Sequence, residues 1–311
     1  MIEEGAMWLI FIVLVASLLI LDLFVLNRKS RAMSMKRAAA LSAFWISVGS
    51  AFGLFIFFAT GDADLTVKYY AGYVIEEMMS IDNLFVFIII FAYFRVPDEY
   101  QHKALFFGIV GALTFRILFI LAGIELLNRF DIMIYIFGAV LIFTAVKTVM
   151  KRENGKASAE ENFFVRLCRR FMKVSDEYDG DRLFTRKDGI RIATPLLLTV
   201  IVLEMTDIIF AFDSIPAVLA ITTDTFIVYS SNVFAILGLR SIYFVLRNAL
   251  SRLAYLKYGL GAILAFVGMK MLLSDVYHID VIVSLAVILA IIAVTVLLSV
   301  TLSKERTEKS V

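Results

Sequence analysis

Cysteine, histidine and proline are nearly missing from this 311-residue chain, which has one, two and three of them. A single thiol, Cys168, excludes internal disulfides and a thiolate metal cluster. The two histidines, His102 and His278, are read as loop residues on opposite sides of a membrane, which disfavours a zinc or copper site. The net charge of +2 gives no basic excess of the kind that nucleic acid attracts. Short alternating segments of about ten residues, the mark of a transmembrane barrel, do not dominate the pattern.

Long apolar runs are what the chain has instead. Hydrophobic residues make up 61% of it, and its mean hydropathy is +0.89, outside the soluble range. Runs of about 20 apolar residues, enough to cross hydrocarbon, recur along it. Nine spans are read: Ala6–Leu26, Ala39–Ala59, Val67–Phe94, Ala104–Leu127, Ile132–Met150, Ile192–Ile221, Phe226–Leu246, Leu253–Leu273 and Val281–Leu302. The first lacks a basic leader and a small-residue cleavage site, so it reads as a retained helix.

Basic residues set the orientation. With the "NRKSRAMSMKR" loop placed in the cytoplasm, 24 Lys and Arg fall on its side and two, Lys68 and Arg129, on the other. The N-terminus is then expected outside, and the C-terminus inside a plasma membrane. Residues 1–150 hold spans one to five and 192–302 hold spans six to nine. Between them lies a polar cytoplasmic linker, 151–191, with a basic amphipathic helix and a turn at Asp179–Gly180. Residues 303–311 form a cytoplasmic tail.

Spans three to five echo spans six to eight. "GAVLIFTAVK" (138–147) matches "GAILAFVGMK" (261–270), both ending in lysine. One span earlier, Arg116 in "LTFRILF" lines up with Arg240 in "LGLRSIY". One span earlier again, Glu76 and Asp82 share the six-residue spacing of Asp207 and Asp213. A three-helix unit has an odd number of crossings, so its copy enters from the opposite side, as in inverted-repeat transporters. The expected fold is an all-α polytopic membrane protein of nine transmembrane helices with that inverted repeat.

The charge inside these spans is the functional clue. A carboxylate at the bilayer centre costs roughly 2.5–3.5 kcal/mol on insertion scales. Spans three and six carry several: Glu76 and Asp82, then Glu204, Asp207 and Asp213. Side chains six apart diverge by about 120° on a regular helix. Pro216 is therefore expected to open the backbone near Asp213–Ser214 and free carbonyl ligands, with a similar kink near Ser80–Asn83. All donors are oxygens: the acids, Asn83, Ser214, Ser80, Thr206 and Asn232. Such a set suits a hard divalent cation, Mn2+, Mg2+ or Ca2+. Met78, Met79 and Met205 flank it and read mainly as packing. Crowded acids take up protons when empty, which suggests exchange of cation for protons. Arg116, Arg240, Lys147 and Lys270 read as counter-charges or helix-end groups, with Lys147 and Lys270 free to snorkel. Asp22 reads equally as vestibule or interface.

"EEMMSIDNLFVF", "LEMTDIIFAFDSIPAVLAITTDTFIVYSSNVFAILGLRSIYFVL", "GAILAFVGMKMLL", "YDGDRLFT" and "ATPLLL" together resemble the TerC family of integral membrane proteins. The nine-span Alx-like members are the most similar type. The resemblance implies manganese export, with a link to tellurite resistance in the family name. It puts the acidic motifs on Glu76, Asp82, Asn83, Glu204, Asp207, Asp213 and Ser214. Met78–Met79 stand where members often carry a small residue or leucine.

Three other readings compete. An intramembrane aspartyl protease would need two carboxyls sharing a proton, but no G-x-G-D is present, and no enzyme is expected. A non-transporting scaffold or stress-resistance factor would use the acids only for packing. Export of an organic cation conflicts with the lack of aromatics beside the acids. The partners expected are the metal ion and the lipid bilayer, with no resident cofactor and no nucleic acid.

Overall fold

Apolar backbone in hydrocarbon must satisfy its own hydrogen bonds, which leaves helices as the solution for these runs. The structure is a computed structural model describing residues 4–22, 34–150, 170, 172–187, 190–249, 256–274, 276–277 and 279–308. Among them nine helices form: α1 Glu4–Leu21, α2 Met35–Thr60, α3 Ala63–Phe94, α4 Asp98–Arg129, α5 Ile132–Met150, α6 Pro195–Leu219, α7 Thr225–Ala249, α8 Leu256–Leu272 and α9 Val281–Glu308. Six of them (α2, α4, α5, α6, α7 and α9) are long and apolar enough to cross a membrane. The apolar stretches of α1 and α8 are shorter, and α3 is interrupted by Asp64, Lys68, Glu76, Glu77 and Asp82. Residues 27–33 of the basic stretch after the first span, most of the linker's amphipathic segment, Cys168 and His278 lie outside the described residues, and residues 35–37 of the basic stretch open α2.

Local chemistry sets the helix starts. Asp62 accepts from the Asp64 and Leu65 amides at 2.8 and 3.2 Å, and the Thr194 hydroxyl accepts from the Leu197 amide at 3.4 Å. Pro195 follows Thr194 at the first helical position, where its missing N–H leaves no bond unmade.

Two expectations about the backbone need correction. Instead of opening near Asp213–Ser214, α6 runs to Leu219, and the Ala220 amide bonds the Pro216 carbonyl at 3.0 Å. Proline sits in the last turns, where the helix continues at the loss of one bond near its end. Likewise α3 is continuous for 32 residues. The chain is also not purely helical. Strands β1 Phe184–Lys187 and β2 Ile190–Ala193 pair antiparallel, Phe184 opposite Ala193, so the sixth helix starts at Pro195 rather than Ile192. The preceding turn at Asp179–Gly180 is as expected, with Gly180 left-handed (φ 56°).

This hairpin is tied to the helix ends beside it. Tyr178 donates to the Phe94 carbonyl at 2.9 Å, and Lys103 pairs with Asp181 at 3.0 Å. At the same end, Arg247 of α7 pairs with Asp98 of α4 at 2.8 Å. Gln101 of α4 accepts there from Tyr243 and Arg247 at 2.9 and 3.1 Å.

Burial identifies the centre of the bundle. In α7, 89% of the apolar stretch is buried, against 17% in α5 and 22% in α9. α3 packs along α7, α4 along α6, and α5 along α8. α1 meets the bundle through Trp8 and Phe11, edge-on to Phe226 at 5.2 and 5.9 Å. The outer surface is apolar, with Ile12, Phe58, Phe143 and Leu297 exposed. A surface of that kind suits lipid contact.

Candidate functional site

The two acidic helices, α3 and α6, pack together inside the bundle, flanked by α4 and α7. A single polar cluster joins all four helices. Glu76 of α3 is fully buried. Its Oε1 accepts from Arg116 Nη1 of α4 and, at 3.4 Å, from Ser80. Its Oε2 accepts from Asn232 Nδ2 of α7 at 2.9 Å. Arg116 Nη1 also donates to Asn232 Oδ1 at 3.0 Å. On the other side, Arg116 Nη2 lies 3.5 Å from Asp207 Oδ1 of α6. One guanidinium thus bridges a carboxylate from each acidic helix.

Electrostatics account for the arrangement. An unpaired buried ion costs several kcal/mol, and pairing offsets that only with good geometry and hydrogen bonds. Glu76 meets both conditions. Arg116 meets them in part, because its Nε and Nη2 make no hydrogen bond although both are buried. Further buried polar groups on these helices lack a hydrogen bond among the described residues. Both carboxyl oxygens of Glu204, Ser214 Oγ and Asn83 Nδ2 are buried and make no hydrogen bond.

Glu204 is accommodated by a glycine. A Cβ on Gly111 of α4 would fall inside the van der Waals shell of the Glu204 carboxylate, and Gly108 is the next neighbour on that helix. Only a residue without a side chain allows this approach. Sequence reasoning passed over Gly111, and the "FGIVGAL" stretch of small residues was the available signal.

Of the residues singled out as ligands or supports, Glu76, Asn83, Glu204, Asp207, Ser214, Asn232 and Arg116 are brought to α3, α4, α6 and α7 as described. Asp82 and Asp213 lie on α3 and α6, and their side chains are outside the described set. Thr206 donates to the Val202 carbonyl at 2.7 Å. Met78 and Met79 are buried among Ile75, Ile215 and Val267, as packing residues. Among the described residues, no three His, Cys, Asp or Glu side chains converge as a ready metal cluster. Glu76 is turned to Arg116 and Asn232 instead.

The remaining groups separate from this centre. Arg240 is buried on α7 and pairs with Asp22 at the end of α1, also buried; Asp22 is therefore neither a vestibule nor an interface residue. Lys147 is exposed. Lys270 donates to Ser284 of α9 at 2.9 Å. It borders a cavity of about 810 Å³ at the end of the bundle opposite the hairpin, together with Asp64, Lys68, Asp131, Tyr277 and Asp280. His102 is not in a loop: it lies in α4 with its ring stacked on Phe244 at 4.2 Å, because the helix begins at Asp98.

Residues 61–308 match the family described as "Integral membrane protein TerC family". An "Uncharacterized membrane protein STKORF319" of Myxococcus xanthus is 43% identical over 97% of this chain and 94% of its own length. A "Putative membrane-bound redox modulator Alx" of Salmonella typhi is 39% identical over 97% of this chain and 96% of its own. Its namesake in Escherichia coli (strain K12) is 41% identical over 94% of each chain. No solved structure matches the chain.

Proposed function

Because this chain belongs to the integral membrane protein TerC family, we propose that it exports a hard divalent cation, manganese foremost, through its buried acidic centre. The observation that carries this reading is Glu204. Its carboxylate is buried with no hydrogen-bond partner, three residues from Asp207 on one helix. A buried carboxyl left without a protein partner is a place for a cation from outside the chain. Asp207 itself is held only at 3.5 Å by Arg116. Oxygen ligands favour Mn2+, Mg2+ or Ca2+, and family membership adds the preference for manganese.

The inverted repeat belongs to the same proposal. A Cβ on Gly138 would lie 3.1 Å from the Gly268 carbonyl, and one on Gly261 3.3 Å from the Ala145 carbonyl. In the matched decapeptides, 138 corresponds to 261 and 145 to 268. Each contact is therefore the image of the other, as a two-fold axis between α5 and α8 requires. Placed in a plasma membrane with the basic loops inside, the hairpin end faces the cytoplasm and the cavity opens outward. Protons taken up by the vacated acids supply the exchange. The chain acts as a transporter, not an enzyme, with the lipid bilayer as its surroundings.

Reconstitution in vesicles tests this. Wild type should move Mn2+ with a counter-movement of protons. Glu204→Gln, which keeps the shape and removes the charge, should lose at least about ten-fold in Mn2+ flux while remaining folded. Undiminished flux in this variant would sink the reading. The name of the Alx relatives offers a second reading, redox modulation. With one cysteine in the chain, a thiol–disulfide cycle needs a second thiol from elsewhere. Cys168→Ser should then abolish a redox phenotype that Glu204→Gln leaves intact, whereas the transport reading expects the reverse.

A further inference from the structure

We propose that Arg116 is a tethered counter-cation: its guanidinium stands in the place of the transported ion between Glu76 and Asp207 and withdraws when the ion binds. This rests on the transport reading above and assigns to that site the group that regulates its occupancy.

Position is the first argument. Arg116 Nη1 sits between two side-chain oxygens from different helices, Glu76 Oε1 of α3 and Asn232 Oδ1 of α7, the latter at 3.0 Å. Nη2 faces a third oxygen, Asp207 Oδ1 of α6, at 3.5 Å. These are hard oxygens converging on one positive group. Withdrawal of the guanidinium leaves two carboxylates and an amide oxygen, a ligand set for a hard dication.

The second argument is the incomplete grip. A guanidinium has five N–H donors in a fixed fork, and each donor left unbonded in a buried site weakens its hold on the acids around it. Here Nε and Nη2 are buried without a hydrogen bond. Each such donor costs free energy, so the pairing with Asp207 is easily given up. Three residues away on α6, about 4.5 Å of helix rise, Glu204 presents a buried carboxylate without a partner. That anion can receive the displaced charge.

The third argument is what a carrier requires. Several acids around a bare dication bind it too tightly to let it go, and transport needs binding weak enough for release. A positive group that competes for the same oxygens lowers affinity and hastens release. Arg116 also reaches an acid on each of the two acidic helices at once, so its release unties Glu76 from Asp207.

The experiment uses purified full-length protein in detergent, with Mn2+ as the probe. It measures equilibrium binding and melting temperature, with vesicle flux alongside. In Arg116→Gln the ion has no competitor. Melting should fall in the absence of ion, recover with Mn2+ by more than the wild-type shift, and be accompanied by about ten-fold tighter binding and slower flux. A variant that can be purified only with Mn2+ present supports the proposal equally. A melting temperature that falls and is not restored, with binding unchanged or weaker, overturns it, since that is the behaviour of a strut. Should Arg116→Gln fail to fold under both conditions, Arg116→Lys decides. Lysine is a single-point cation that cannot hold both acids, so binding should tighten about three-fold; unchanged or weaker binding overturns the proposal. Wild type that binds no Mn2+ overturns the transport reading and this proposal together. Wild-type binding with no tightening in either variant overturns this proposal alone.

Discussion

Arg116 and Arg240 occupy matching places in the two repeated stretches, and both are buried, at 1% and 3% exposure. Their surroundings differ. Arg240 meets Asp22, which belongs to the end of α1 outside the repeated triplets, in a buried ion pair. Arg116 meets Glu76, Asn232 and, more loosely, Asp207. Were the halves used equivalently, Arg240 would hold Asp207, the counterpart of Glu76. Instead both motif acids lean on Arg116, and Arg240 fastens α1 to the central helix. Arginine serves as an anchor in one stretch and as part of the acidic centre in the other, because α1 brings its own carboxylate to Arg240.

That contrast can be broken at Arg240 first. Arg240→Leu takes its guanidinium partner from the buried Asp22, with an expected loss of about 3–5 kcal/mol. Thermal melting in detergent should show it, and Mn2+ should not restore it. Replacing Asp22 by leucine as well should recover most of the loss, since an apolar pair of similar volume often matches a buried ion pair. Recovery of the single variant by Mn2+ would place Arg240 in the transport site and erase the distinction.

Gly111→Ala probes the Arg116 side more gently. The new methyl meets the flexible end of Glu204 rather than backbone, so folding should persist while the carboxylate is pushed aside. Mn2+ flux in vesicles should drop roughly ten-fold, and unchanged flux would detach Glu204 from the path.

The two matched lysines give the smallest effects. Lys270→Ala loses the bond to Ser284, for about 1 kcal/mol. Lys147→Ala, at an exposed position, should stay within about 0.5 kcal/mol of wild type. A melting comparison of the two variants checks whether the halves differ here too.

Much of this was legible in the residues. Each of the nine apolar runs holds a helix among the described residues, six of them long and apolar enough to cross a membrane, and Glu76, Glu204, Asp207, Asn232 and Arg116 all stand out in the residues alone. Three features were not. The continuity of α6 through Pro216 depends on where proline falls relative to the helix end. The hairpin at 184–193 is a short alternating stretch that an apolar run beginning at Ile192 conceals. The role of Gly111 is visible only from the helix that approaches it.

Composition and hydropathy by themselves determined that the chain suits a bilayer, where its apolar helices run and which of them carry charge. Those properties follow from the cost of exposing backbone and charge to hydrocarbon, a cost fixed residue by residue. The tertiary structure alone decided the pairings: Arg116 with Glu76 and Asp207, Arg240 with Asp22, and Glu204 with none. Rotating a helix by one residue turns its side chains by about 100° without changing its hydropathy, so partner choice is set by packing between helices and not by any one of them.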